Sequence, residues 1–446
     1  MPDLKNLLFK TAHRFLGGVN AYLNSLKDPR QAGKIDYPLR FLIWTGILLF
    51  TFKLASRRRI RYKFNTAQFL QNLNCLSQSE QHRVPHDKTL ADLLEQLDPK
   101  HLVGLRRFVV RQLIRRKTLD KWRLLNRYHL VAIDATRLFS FKERHCEHCL
   151  TETHSASHGK KTTYYHMVLE AKIVTASGLS LSIDSEFVEN PGPEPDKQDC
   201  ELAAFYRIVE RIHREYPIKG LCLVVDSLYA GKRFFEICER FGWKYIVVFK
   251  EGKMPAVFQE YETLKKLSQY NQHTHRLDEE GATQSYRWVN MIDYEGHKLN
   301  ALDCTETTAD GTRRFAWLTN LWVCKGNCVE IGNHGGRQRW KIENQGFKAQ
   351  KKEGYNLEHA YSEHSIAMKN FYVLLQVGHM LSQLMEHNRT LRPLILKLYG
   401  SYRDFTEELR EEFRRAWTTA KEYASLIASA FQIRLDSSRE AGQAQV

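Results

Sequence analysis

No apolar run in this chain approaches the length of a membrane span. The longest, "FLIWTGILLFTF" from Phe41 to Phe52, falls well short of the roughly 20 residues that a bilayer-crossing helix needs, and it reads as a buried helix. The start, "MPDLKNLLFKTAHRFLGG", lacks both a clean apolar core and a small-residue cleavage site. A secretory signal is therefore not expected, and the chain reads as cytoplasmic and nucleoid-associated. Cysteine is sparse: nine residues, an odd number, are scattered over 446 positions, which fits a reducing compartment better than a disulfide framework. Acid is also in short supply. Lysine and arginine number 67 against 51 aspartates and glutamates, a formal net charge of +16, and the isoelectric point is near 9.3. Such an excess favours a polyanionic partner, nucleic acid before a membrane surface.

What is present falls into stretches of different texture, with no internal repeat. Residues 1–125 read as helical and basic. "KLASRRRIRYK" (Lys53 to Lys63) carries six basic residues and no acid, and Arg107, Arg111 and Arg115 recur every four residues along one line of a helix. Thr89 with Asp92 reads as a capping box. These features point to a DNA-contacting helical region, or else to ordinary solvated faces. From 126 to 250 the order is strand, hairpin, helix, strand, helix, strand, which predicts an α/β sheet with helices on its faces. Residues 251–334 alternate apolar and polar and read as a β-rich insertion. A helix is expected again over 335–390, followed by a helical region and polar tail over 391–446.

Two of the apolar strands end in an acid. "LVAID" stops at Asp134 and "LCLVVD" at Asp226. Asp226 alone would serve as a helix N-cap, but the recurrence points to more. Functional groups in an open α/β sheet gather at the carboxyl ends of its strands, so the two carboxylates are expected side by side. Their repulsion calls for a proton or a hard divalent cation such as Mg²⁺. In "RWKIENQGFK", Arg339, Glu343 and Phe347 share a helical face with Trp340. That pattern offers a third acid for the site, or an i, i+4 surface ion pair.

"AIDATR", "VVDSLYA" and "RWKIENQGFKAQKKEGYNLEH", in this order and with a β-rich stretch before the last, resemble the DDE transposases of bacterial insertion sequences. The likeness is to the branch with a Tyr, Arg, Glu, Lys signature around the final acid, and it spans roughly residues 128 to 385. It implies an RNase H-like catalytic domain, two Mg²⁺ or Mn²⁺ ions, and cutting and joining of DNA at terminal inverted repeats by at least a homodimer in a synaptic complex. Asp134, Asp226 and Glu343 match the metal-binding, catalytic triad, Arg339 the signature arginine, and Tyr229 the aromatic three residues after the second aspartate. Two positions depart from the pattern. Gly336 stands where the tyrosine is expected and Gln350 where the lysine is expected, with Lys348 and Lys351 as neighbouring candidates for holding phosphate. Relatives that form hairpin ends hold a flipped base on a tryptophan of the insert, for which Trp288, Trp317 and Trp322 are candidates or else core residues. The alternatives are a DNA-binding derivative that no longer cuts, and an RNase H-like nuclease without strand transfer.

One further group stands apart. "CEHCLTETHSASH" holds Cys146, Cys149, His154 and His158, a candidate structural zinc site whose alternative is a flexible His-rich loop near DNA. "CKGNC", Cys324 to Cys328, is a weaker pattern.

Overall fold

A ten-stranded mixed sheet runs through the protein. The computed structural model describes residues 3–438 apart from 145, 157–158, 193–194, 217 and 278–280. The strands are β1 (His129–Phe141), β2 (Leu150–Ala156), β3 (Gly159–Val174), β4 (Ser180–Val188), β5 (Leu221–Val225), β6 (Lys244–Val248), β7 (Gln272–Leu277), β8 (Ala282–Tyr294), β9 (His297–Thr308) and β10 (Gly311–Thr319). Their order is β2-β3-β1-β5-β6-β10-β9-β8-β7, with β4 pairing the edge of β3 away from β1. The three central strands β1, β5 and β6 are parallel, and each buries a continuous apolar run. Such runs suit strands covered on both faces. Helix Glu201–Glu215 lays Ala204, Phe205, Ile208, Val209 and Ile212 into the core, as the helical spacing predicts.

The stretch after β6 does not stand apart from this sheet. β10 pairs antiparallel with β6 through Trp317↔Val248 and Thr319↔Ile246, and β9, β8 and β7 extend the same surface. Its first part is helical, Pro255–Leu267, where the sequence texture had indicated strand. Proline at the first turn and the inward Val257 and Tyr261 explain the helix. Strand β2 likewise has no counterpart in the sequence pattern. Its residues, "LTETHSA", are polar on both sides because the β2–β3 hairpin is largely solvated, so no period-two signal arises.

The N-terminal helices are packed onto the sheet half. Helix Leu39–Thr51 is buried almost throughout and crosses helix Ser365–Glu386, itself nearly all buried. The crossing is close because Gly378 has no side chain. A Cβ there would lie 2.7 Å from the Phe50 Cβ, 2.9 Å from the Ile47 carbonyl oxygen and 3.1 Å from the Thr51 nitrogen. Helix Asp87–Gln96 is capped by His86, whose ring nitrogen accepts from the Lys88 N–H, and not by a Thr89 box. No described helix is long and apolar enough to cross a membrane.

Much of the basic texture of residues 1–125 is internally paired. Lys53 is buried against Glu386, and Arg107 and Arg111 both meet Glu215. Arg58, Arg59 and Arg61 remain exposed beside Tyr62.

Candidate active site

The two aspartates reach one edge of the sheet because their strands are parallel and in register. Ala132 pairs with Val224, and each acid lies two residues further along its own strand. Asp134 and Asp226 therefore stand level on adjacent strands and on one face, since side chains alternate with a period of two. Asp226 ends its strand by accepting the Ser227 N–H at 2.5 Å and the Ser227 hydroxyl at 3.1 Å. It caps the short 3-10 turn Ser227–Tyr229. The following helix, Lys232–Arg240, starts later, behind Gly231.

Glu343 arrives from the other side. It lies at the start of a π-helical turn, Ile342–Lys348, wider than the α-helical face expected from the sequence. Such widened turns frequently mark functional sites. The Arg339 guanidinium donates to Glu343 Oε1 at 2.9 Å and reaches Asp134 Oδ2 at 3.4 Å, so one cation joins the strand acid to the helix acid. Arg339 is mostly buried, at 19% side-chain exposure, which is unlike a surface ion pair. Lys250 lies 3.9 Å from Asp226 Oδ1.

The surroundings drive the two aspartates apart. Burial pushes Asp134 up to about 7. Arg339 opposes this, while Glu343 and Glu201 add to it. Burial also acts on Asp226, but the Ser227 hydrogen bonds, Arg339 and Lys250 together hold it below its usual range. One carboxylate is thus held in its charged form while burial favours the protonated form of its neighbour, a pairing typical of sites that bind cations or move protons.

Glu201 is a fourth acid, with no mark in the sequence beyond that of an ordinary first-turn acid of its helix. The Tyr229 hydroxyl donates to it, and its own pKa is raised by burial and by Asp226. Tyr229, 2% exposed and packed on Phe205, is therefore turned to Glu201 and away from solvent. Gln350 is buried and bonded to Gln376 and His379, Lys351 pairs with Glu358, and Lys348 is exposed. Gly336 has a steric reason: a Cβ there would overlap the Trp317 indole. Trp317 and Trp288 are core residues at 3% and 4% exposure. Trp322 is exposed, but it follows β10 at the edge of the sheet remote from the acids.

The donor set offered by Asp134, Asp226, Glu201 and Glu343 is oxygen throughout, which fits hard divalent cations. The ligand atoms of the triad do not all lie within 4.8 Å of one another, the Arg339 guanidinium standing between Asp134 and Glu343.

No family model matches the chain, and no curated protein matches it. Among solved structures it is similar to the piggyBac transposase synaptic complex with hairpin DNA. That likeness has 12% sequence identity, covers 95% of this chain and 84% of the other, and has a TM-score of 0.36. The functional reading therefore rests on the side chains themselves.

The Cys/His group is arranged differently from the sequence expectation. Cys146 and Cys149 meet His166, on β3. His154 points away on the hairpin, 65% exposed and beside Glu152, because it lies on β2 beyond the cysteine turn. His158 falls outside the described residues. Cys324 is exposed and Cys328 buried, and no third ligand joins them among the described residues.

Proposed function

We propose that this protein is a DNA transposase of the DDE type, with an RNase H-like core, that cuts at the terminal inverted repeats of its element and joins the freed ends to target DNA. The observation that carries the reading is the register of β1 and β5, which sets Asp134 and Asp226 level, with Arg339 tying Glu343 to Asp134. The sequence of parallel strands β1, β5 and β6 flanked by antiparallel β3 and β4 supports the RNase H-like assignment. Mg²⁺ or Mn²⁺ held by Asp134, Asp226 and Glu343 would supply Lewis-acid activation of water and then of a 3′-hydroxyl.

The remaining chemistry belongs to the chain. Asp134, raised to about 7 by burial, would hold the cation once deprotonated, while Asp226, held below its usual range, would be charged beforehand. Arg339, between the acids, is the group available to neutralise a scissile phosphate. Tyr229 and Glu201 hold the turn that carries Asp226. Lys348 and the exposed Arg58, Arg59 and Arg61 are further phosphate contacts in this reading, and paired DNA ends require at least a dimer.

The test is incubation of purified protein with Mg²⁺ and DNA carrying the ends that flank the gene. Nicking at the repeat boundary, followed by joining, is the expected result. Cutting without joining would favour a nuclease. Cutting that is unchanged in Asp226→Ala would remove the catalytic assignment.

A further inference from the structure

Cys146, Cys149 and His166 form a cluster that the proposed chemistry does not use. The sulfurs lie 3.5 Å apart, far beyond the ~2.05 Å of a disulfide bond. His166 Nε2 lies 3.4 Å from one sulfur and 3.5 Å from the other. Zn–S bonds of ~2.3 Å and Zn–N bonds of ~2.0 Å at tetrahedral angles place sulfurs ~3.8 Å apart and sulfur and nitrogen ~3.5 Å apart. The three donors thus form one triangular face of a zinc tetrahedron to within a few tenths of an ångström. Cys149 and His166 are also fully buried, at 0% and 1% exposure.

The backbone around the cluster is built to hold it. Cys149 N–H closes the turn on the Cys146 carbonyl at 3.4 Å. The Cys149 carbonyl accepts from the Asn190 amide at 2.9 Å, and the His148 ring meets the Asn190 carbonyl at 2.9 Å. Asn190 in turn accepts the Asp199 N–H at 3.2 Å, two residues before Glu201. Polar groups fixed around ligands in this way orient the donors.

We infer that Cys146, Cys149 and His166 bind one structural Zn²⁺, with water completing the tetrahedron. The metal knots the loop between β1 and β2 to β3. His166 lies four residues along β3 from Glu170, the partner of Asp134, so the knot sits on the order of 13 Å from the acids. It also anchors the base of the hairpin that carries the exposed Lys160 and Lys161, and through Asn190 and Asp199 it steadies the start of the Glu201 helix.

Zinc content settles this without any DNA assay, so it stands or falls separately from the transposase reading. Wild-type protein expressed with added zinc and analysed by elemental mass spectrometry is expected to hold about one zinc per chain. Cys149→Ser and His166→Ala should lose it, and His154→Ala should keep it. Should the variants fail to fold, cobalt substitution of the wild type gives a second measurement through its thiolate-to-cobalt charge-transfer band. Hydrogen exchange over residues 142–150 should also rise when a mercurial strips the metal. Zinc below about a tenth of an equivalent with no cobalt band, a Cys146–Cys149 disulfide in its place, or zinc retained in the folded His166→Ala variant would each overturn the assignment.

Discussion

Asp134→Asn should stabilise this protein when no divalent cation is added, and only above acid pH. In the folded chain Asp134 is 20% exposed and titrates at about 7, against an ordinary value near 3.8. A raised carboxyl pKa means that the folded state binds more protons than the unfolded state between those two values. Stability then falls as pH rises from about 4 to about 7 and stays low above it. At about 1.4 kcal/mol per pKa unit, the gap corresponds to ~4 kcal/mol of electrostatic penalty at pH 8. An asparagine of the same shape removes the charge but still buries an amide, so a net gain of ~2 kcal/mol is expected. Unfolding entropy of about 2 cal/mol/K per residue turns that gain into a rise of ~2 °C in Tm for a chain of this length. The assay is urea and thermal unfolding of both proteins at pH 4.5 and pH 8 in Mg²⁺-free buffer, then at pH 8 with Mg²⁺. The gain should appear at pH 8, shrink at pH 4.5, and be offset by Mg²⁺ stabilising the wild type alone. An Asn variant no more stable than wild type at pH 8, or equally stabilised at both pH values, would refute the account of the site as crowded anions awaiting a cation.

Other parts of the molecule give further expectations. His129 is buried, and burial with the nearby Arg123 holds it down to about 4, Asp120 opposing weakly. Its contribution is therefore present above pH 6.5 and lost as pH falls toward 4. The wild type should lose ~2 kcal/mol between pH 7 and pH 4.5 that His129→Gln does not, read from urea midpoints at those two pH values. Arg106 is 0% exposed and bonded to Asp184 at 2.9 Å and Ser182 at 3.1 Å. Arg106→Leu leaves a buried acid with one partner fewer and should cost about 3 kcal/mol in the same assay. Gly336→Ala must displace the Trp317 ring, so it should destabilise by about 1–3 kcal/mol, read as a lower urea midpoint.

The acids were legible in the sequence because a buried parallel strand has a plain signature. An apolar run that stops on a charge marks both the strand and its end, and Asp134 and Asp226 share that mark. Arg339 and Glu343 were legible as a pair, but the π-helical winding was not, since a single widened turn leaves the i, i+4 spacing of the letters unchanged. Glu201 and His166 were hidden for a different reason. Each looks ordinary beside its own neighbours, one as a first-turn acid and the other as one position of a long strand. Only the pairing of distant segments gives them partners. The same holds for β7 to β10, whose alternation announced strands but not that they would continue the sheet through β6.

The tight crossing at Gly378 bears on how the chain is made. Helix Leu39–Thr51 is apolar on nearly every side, and the surface that covers it, helix Ser365–Glu386, leaves the ribosome much later. The Ser382 hydroxyl reaches the Thr51 carbonyl across 331 residues. For most of synthesis that early helix has no lasting cover, a state that invites chaperones and aggregation. The amino-terminal region cannot settle into its native packing until the carboxyl-terminal third has emerged, so a prematurely terminated chain should be insoluble rather than a working DNA-binding fragment.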